Sequence, residues 1–227
     1  GRVDIWIANS DGSDRKQLTT NGGISPAVTS DGNYIVFLSP RESGRVIWRI
    51  NIDGSNPTQL TNGPSDASPA PTPNGKWLFY ISTDGPKPTL WKIPIEGGSA
   101  QRVMDHSASS AVISPDGKLL AYTYPESPDP YAPPNRIAVA NLNDNSPVTT
   151  FEFAPSGTVS TLIRWSNDGK SILYSVNRNT VSNVWTQPPS AQFKTTNPLA
   201  AIRCSSMGAT RSRTESSSAY GRNINGI

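Results

Sequence analysis

Along residues 1–188 short apolar runs alternate with polar clusters rich in Asp, Asn, Ser and Gly, and no stretch sets apolar residues at the steps of an amphipathic helix. Four of the runs share a lead-in. Thr29-Ser30-Asp31-Gly32 precedes Tyr34-Ile35-Val36-Phe37, and Thr72-Pro73-Asn74-Gly75 precedes Trp77-Leu78-Phe79-Tyr80. Ser114-Pro115-Asp116-Gly117 precedes Leu119-Leu120-Ala121-Tyr122, and Ser166-Asn167-Asp168-Gly169 precedes Ile172-Leu173-Tyr174. An Asp-Gly or Asn-Gly pair suits a tight turn with positive φ, which Gly adopts freely and Asn and Asp at little cost. A strand with one wet face alternates apolar and polar residues; these runs are continuous, so they are expected to be covered on both faces. Residues 24–61 read in full give four strands, 25–29, 34–38, 46–50 and 58–61, with Asp-Gly turns after the first and the third.

The units keep a beat. Asp31, Asn74, Asp116 and Asp168 are spaced by 43, 42 and 52 residues, while Trp6, Trp48 and Trp91 are spaced by 42 and 43. Each of those tryptophans is followed five residues later by Asp11-Gly12, Asp53-Gly54 or Glu96-Gly97. A period of about 40–45 residues with four short strands per unit predicts an all-β fold, a β-propeller. The units resemble the TolB-like, WD-like (PD-type repeat) bacterial propeller family. Its S-P-D-G core is matched at Ser114-Pro115-Asp116-Gly117, and its I-W…D-G-S…L-T ending at Ile5-Trp6, Asp11-Gly12-Ser13, Leu18-Thr19 and at Ile47-Trp48, Asp53-Gly54-Ser55, Leu60-Thr61. The fourth unit departs from it, with Arg136-Ile137-Ala138-Val139 in place of Ile-Trp, Asp144-Asn145 in place of Asp-Gly, and a Pro-rich loop over residues 124–134.

The repeats divide the chain into a partial blade at 4–19, full blades at 24–61, 67–103 and 109–153, and a three-strand partial blade at 160–188. The expected fold is an incomplete ring of about four to five four-stranded blades. Because the pattern opens inside a unit, the chain reads as a fragment of a larger bacterial protein. Residues 189–227 turn to Ser, Thr, Arg and Asn and read as an irregular basic tail or, because Met207-Gly208 falls one repeat beyond Trp165, as a frame-shift product.

Charge changes the picture only by its placement. The net charge is +3, but up to Pro188 there are 15 Lys and Arg against 16 Asp and Glu, and from Pro189 onward 5 against 1. The repeat region shows no basic stripe, so nucleic acid is not an expected partner. No run of about 18 apolar residues is present, so no membrane insertion by this segment is expected. The single cysteine, Cys204, excludes an internal disulfide and a multi-cysteine metal site.

No catalytic constellation is visible: the sequence lacks a G-x-S-x-G elbow, a phosphate-binding Gly-rich loop, H-E-x-x-H and C-x-x-C. Neither catalytic, metal-binding nor cofactor-binding residues are therefore assigned, and no cofactor is expected. Asp31, Asp116 and Asp168 read as turn residues whose carboxylates accept backbone N–H groups, in preference to cation ligands. Trp6, Trp48, Trp91 and Trp185 read as inter-blade packing, and Trp77 and Trp165 as core. Recognition is expected from loops on a rigid scaffold. The candidate partner-binding residues are Asp66 in the loop 62–66, His106 in the connection 105–109, and Tyr124 and Tyr131 in the Pro-rich loop.

The resemblance implies a non-catalytic scaffold or sensor that meets a protein or peptide at its channel mouth or rim loops. Such a scaffold serves the cell envelope, with a periplasmic or other extracytoplasmic site, or forms the sensory half of a kinase or regulator. The alternative is the substrate-gating propeller of a prolyl-oligopeptidase-like or tricorn-like serine peptidase, whose catalytic domain this sequence lacks.

Overall fold

Strand order follows directly from the turn chemistry. The computed structural model describes residues 2–42, 44–143, 147–152, 158–178, 181–189 and 200–203. A two-stranded ribbon, β1 (Trp6–Ile7) and β2 (Lys16–Gln17), precedes four antiparallel sheets of four strands. The first holds β3 (Ile24–Val28), β4 (Tyr34–Arg41), β5 (Gly44–Asn51) and β6 (Thr58–Gln59) in sequential order. The second holds β7 (Asp66–Pro71), β8 (Trp77–Ser82), β9 (Thr89–Pro94) and β10 (Gln101–Arg102). The third is built from β11 (Ser110–Ile113), β12 (Leu119–Tyr124), β13 (Arg136–Asn141) and β14 (Pro147–Glu152). In the fourth, β15 (Thr158–Trp165), β16 (Ile172–Arg178) and β17 (Val181–Gln187) are joined by β18 (Ala200–Arg203). No helix occurs among the described residues, and none is long and apolar enough to cross a membrane. The result is an incomplete propeller ring. One correction concerns the last blade. Ala200–Arg203, inside the segment read as irregular, pairs with β17 from Val181↔Arg203 to Val184↔Ala200 and gives that blade its fourth strand. A strand only four residues long with no Asp-Gly turn before it carries no alternation to read. Met207-Gly208 and the rest of the tail beyond Arg203 lie outside the described residues.

The apolar runs behave as continuous core strands. Ile35 through Leu38 and Leu78 through Ile81 are all buried, because neighbouring blades cover both faces. Val36, Ile47, Leu78 and Ile93 meet in one cluster between the first two full blades, and Ala121, Val139, Ile163 and Ile172 in another between the last two. Trp48, Trp91 and Trp185 pack at the edges of such clusters, and Trp165 is buried with Nε1 donating to Val112 O at 3.2 Å. Trp6 differs: it is 58% exposed, because β1 has β2 alone as neighbour and nothing lies where Phe37 stands opposite Trp48.

Each lead-in folds the same way. Ser114 Oγ donates to Asp116 Oδ1 at 2.6 Å and accepts Leu119 N–H at 2.9 Å, while Asp116 Oδ1 also accepts Lys118 N–H at 3.0 Å. Thr29 with Asp31, Thr72 with Asn74 and Ser166 with Asp168 repeat the arrangement. The hydrogen bonds from Ser114 and Lys118 hold the Asp116 carboxyl below its ordinary range, as those from Thr29 and Ser166 do for Asp31 and Asp168. Gly117 closes its turn at φ +71°, a left-handed conformation that Gly takes without strain. Successive turns also touch: a Cβ built at Gly117 stands 3.6 Å from Pro73, and one at Gly169 stands 3.7 Å from Pro115.

Antiparallel order sorts the connections. Turns between the first and second and between the third and fourth strands of a blade fall at one end. Loops between second and third strands and the links between blades fall at the other. The repeated Asp/Asn-Gly turns after the first strands and the turns before the fourth strands therefore share one end, and the variable segments 83–88, 103–109 and 125–135 share the opposite one, the loop face. The inner strands β3, β7, β11 and β15 surround the axis and line a cavity of about 620 Å³ with small residues, proline and Arg164.

Candidate functional site on the loop face

Three ring-bearing side chains organise the loop face. Tyr122 and Tyr124 are two residues apart on β12 and so project to one face. Their ring centroids are 5.9 Å apart, and His106, on the link from β10 to β11, lies 5.4 Å from Tyr122 and 6.0 Å from Tyr124. His106 Nε2 and Tyr122 Oη are hydrogen-bonded at 2.8 Å. Burial, aided by the Lys87 ammonium, lowers the His106 pKa from its ordinary value, and Asp105 opposes the shift. Burial pushes the Tyr122 phenol up to about 12. The three rings floor a cleft of about 700 Å³ walled by Pro86, Lys87, Glu126 and Pro128.

The Pro-rich loop that borders this cleft is held at its neck. Glu126 N–H donates to Asn135 Oδ1 at 2.7 Å, Asn135 N–H donates to Tyr124 O at 3.2 Å, and the Arg136 guanidinium pairs with the Glu126 carboxylate. Nearer the tip, Tyr131 N–H donates to Asp129 Oδ1 at 2.9 Å, an Asx turn that fixes the backbone under the aromatic ring. Tyr131 itself is 61% exposed. A second hollow of about 330 Å³ lies beside it, lined by Pro133, Pro134, Arg45 and Ser65, so the loop reaches from the third full blade toward the first.

Of the four residues singled out from sequence, His106 and Tyr124 share the larger cleft and Tyr131 stands on the adjoining loop. Asp66 is elsewhere. It is the first residue of β7, only 1% exposed, with its carboxylate accepting the Thr61 hydroxyl. A threonine ending the preceding blade draws it inward, which residues 62–66 read as a connecting loop do not reveal. Tyr122 was missed; its spacing of two from Tyr124 on a strand end was the available signal. Among the described residues no group of three or more acidic, His or Cys side chains is placed to hold a metal ion.

Sheets of four strands set around a common axis, with small residues at the centre and loops gathered at one end, define a β-propeller. The TolB beta propeller domain model matches residues 1–205, and the chain belongs to that family. No curated protein matches the sequence. Among solved structures, TolB from Acinetobacter baumannii is similar with a TM-score of 0.64 and 21% identity, over 86% of this chain and 48% of that one. A putative TolB from Agrobacterium tumefaciens is similar with a TM-score of 0.66 and 12% identity, over 86% and 72%. An acylaminoacyl peptidase in complex with a chloromethyl ketone is similar with a TM-score of 0.55 and 14% identity, over 78% and 32%. At these identities the likeness is one of fold, and the chain spans about half the length of the first of these structures.

Proposed function

We propose that this propeller is a non-catalytic interaction module that docks a protein or peptide partner on its loop face. The observation that carries the reading is the pinned loop that holds Tyr131 out in solvent beside the cleft of His106, Tyr122 and Tyr124. Exposed aromatics on a preordered backbone lose little entropy on binding, and Tyr is enriched among the residues that dominate interfaces. Asp66, buried at the start of β7, is not one of the residues of this cleft and loop.

The test is site-specific photocrosslinking from position 131 in the producing cell, with position 116 on the opposite end as control. One identified protein crosslinked from 131 and absent from 116, and lost in a variant carrying Tyr124→Ala and His106→Ala, supports the reading. Equal crosslinking from both ends defeats it. The gating reading is favoured by likeness of fold to the peptidase propeller alone. It requires a hydrolase domain with a G-x-S-x-G elbow on the same polypeptide, which the coding sequence around this segment decides.

A further inference from the structure

We infer that the pocket between the first and second full blades receives a primary alkylammonium group. The inference is independent of the loop-face reading above. The molecule supplies its own comparison, because the preceding inter-blade groove holds the same pocket one repeat earlier. A shift of 43 residues places Tyr80 on Phe37, Ser82 on Ser39, Trp91 on Trp48 and Ile93 on Ile50. The earlier pocket is about 300 Å³ and no carboxylate lines it. The later one is about 340 Å³ and contains Asp66 and Asp84, at the places of Gly23 and Arg41. In the earlier groove the Thr19 hydroxyl meets Asp4, which lies outside the pocket lining, accepts Gly22 N–H and is paired with Arg2, so that acid is already satisfied.

No Lys, Arg or His lines the later pocket. Arg102 is nearby, but its guanidinium lies over the Trp91 ring, 5.3 Å from the centroid, and pairs with Asp105 at 3.5 Å. Asp66 is 1% exposed, and while one of its oxygens accepts the Thr61 hydroxyl, Oδ1 has no hydrogen-bond partner. The Ser82 hydroxyl, also in the pocket wall, favours the ionised carboxyl. Burial and the Asp84 charge both push the Asp66 pKa upward, the mark of a negative site without a counter-charge. A Cβ built at Gly63 stands 3.1 Å from Asp66 Oδ1, so the backbone comes close to the carboxylate only where a side chain is lacking.

The shape of the charge selects the ligand. A bare calcium ion asks for six to eight oxygens, and Leu60, Trp91 and Ile93 occupy much of the wall. An alkylammonium carries three donors on an apolar stem. Its head matches Asp66 Oδ1, the Tyr80 phenol and the Asp84 carboxylate, and its stem matches the aromatic and aliphatic wall. A free amine and a lysine side chain of another protein share this chemistry.

The test titrates the full chain with cadaverine, with Nα-acetyl-lysine methylamide and with calcium chloride, followed by amide NMR and calorimetry. Both amines are expected to saturate and to shift the Gly63 and Asp84 resonances, and whichever binds more tightly separates a free amine from a lysine side chain as the source. Asp66→Asn weakens binding roughly tenfold or more, the loss of a charge-assisted hydrogen bond. Asp84→Asn, at an exposed position, weakens it severalfold and gives the reading should Asp66→Asn fail to fold. Absence of a saturable amine response, calcium binding at these residues in place of amines, or amine affinity unchanged in Asp84→Asn overturns the inference.

Discussion

Replacing Thr61 by valine keeps the side chain's shape and removes one hydroxyl that serves two buried groups. Thr61 Oγ1 accepts Ile47 N–H at 2.8 Å and donates to Asp66. An unpaired buried amide costs about 1–3 kcal/mol, and a lost hydrogen bond to a charged group about 1.5–3 kcal/mol. The expected loss for Thr61→Val is therefore about 3–5 kcal/mol, with Thr61→Ser close to wild type. The two parts separate with pH. Burial raises the folded-state pKa of Asp66 above the unfolded value of 3.8, and the Thr61 bond restrains that rise. A raised carboxyl means that the folded state binds more protons than the unfolded one, so stability falls as pH rises through the window between the two values. Thr61→Val widens that window upward. Its loss is full at neutral pH and shrinks in mild acid, where Asp66 is neutral and the Ile47 amide alone remains unpaired. Urea unfolding of both variants at the two pH values measures this. A loss under about 1 kcal/mol, or one equal at both pH values, would falsify the shared-hydroxyl argument.

The remaining expectations concern glycine, core, titration and loop. Gly44→Ala disrupts the junction of the first two full blades, because the added Cβ meets Pro64 O at 2.1 Å, whereas Gly32→Ala meets open space and costs only the backbone term of about 1–2 kcal/mol; comparable urea midpoints would contradict this. Leu120→Ala, at a fully buried site, costs about 2–5 kcal/mol by the same assay. His106 titrates below its ordinary 6.5 by NMR; since its neutral form is favoured in the fold, its contribution is lost as pH drops below 6.5, and a midpoint at or above 6.5 refutes the burial account. Tyr131→Ala leaves the urea unfolding midpoint unchanged, since the ring touches solvent over most of its surface, and a lowered midpoint would contradict this.

What could be read from the chain was whatever repeats. The Ser114–Asp116–Lys118 turn is built from neighbours in sequence, so its residues name it, and four copies fix the period and the blades. The expected strands 34–38 and 46–50 fall within β4 and β5. Contacts made across blades leave no local trace. Asp66 looks like a residue of a connecting loop until Thr61 is brought to it, and Trp6 matches Trp48 and Trp91 in motif while differing in exposure because its neighbours differ. The cleft was half legible: the link with His106 and the Pro-rich loop stood out as interruptions of the repeat. Tyr122 hid inside an apolar run that resembled every other.

The separation of turns from loops gives the molecule one end fixed by its own arithmetic and one end free of it. The turns at Gly75, Gly117 and Gly169 each lean on the corresponding turn of the blade before, so a change of length there is passed to the neighbouring blade. A change of length between β8 and β9, or between β12 and β13, is absorbed by a single hairpin whose strands keep their register. New specificities can accumulate at that end one hairpin at a time, as text is added to a ruled page without moving the rules.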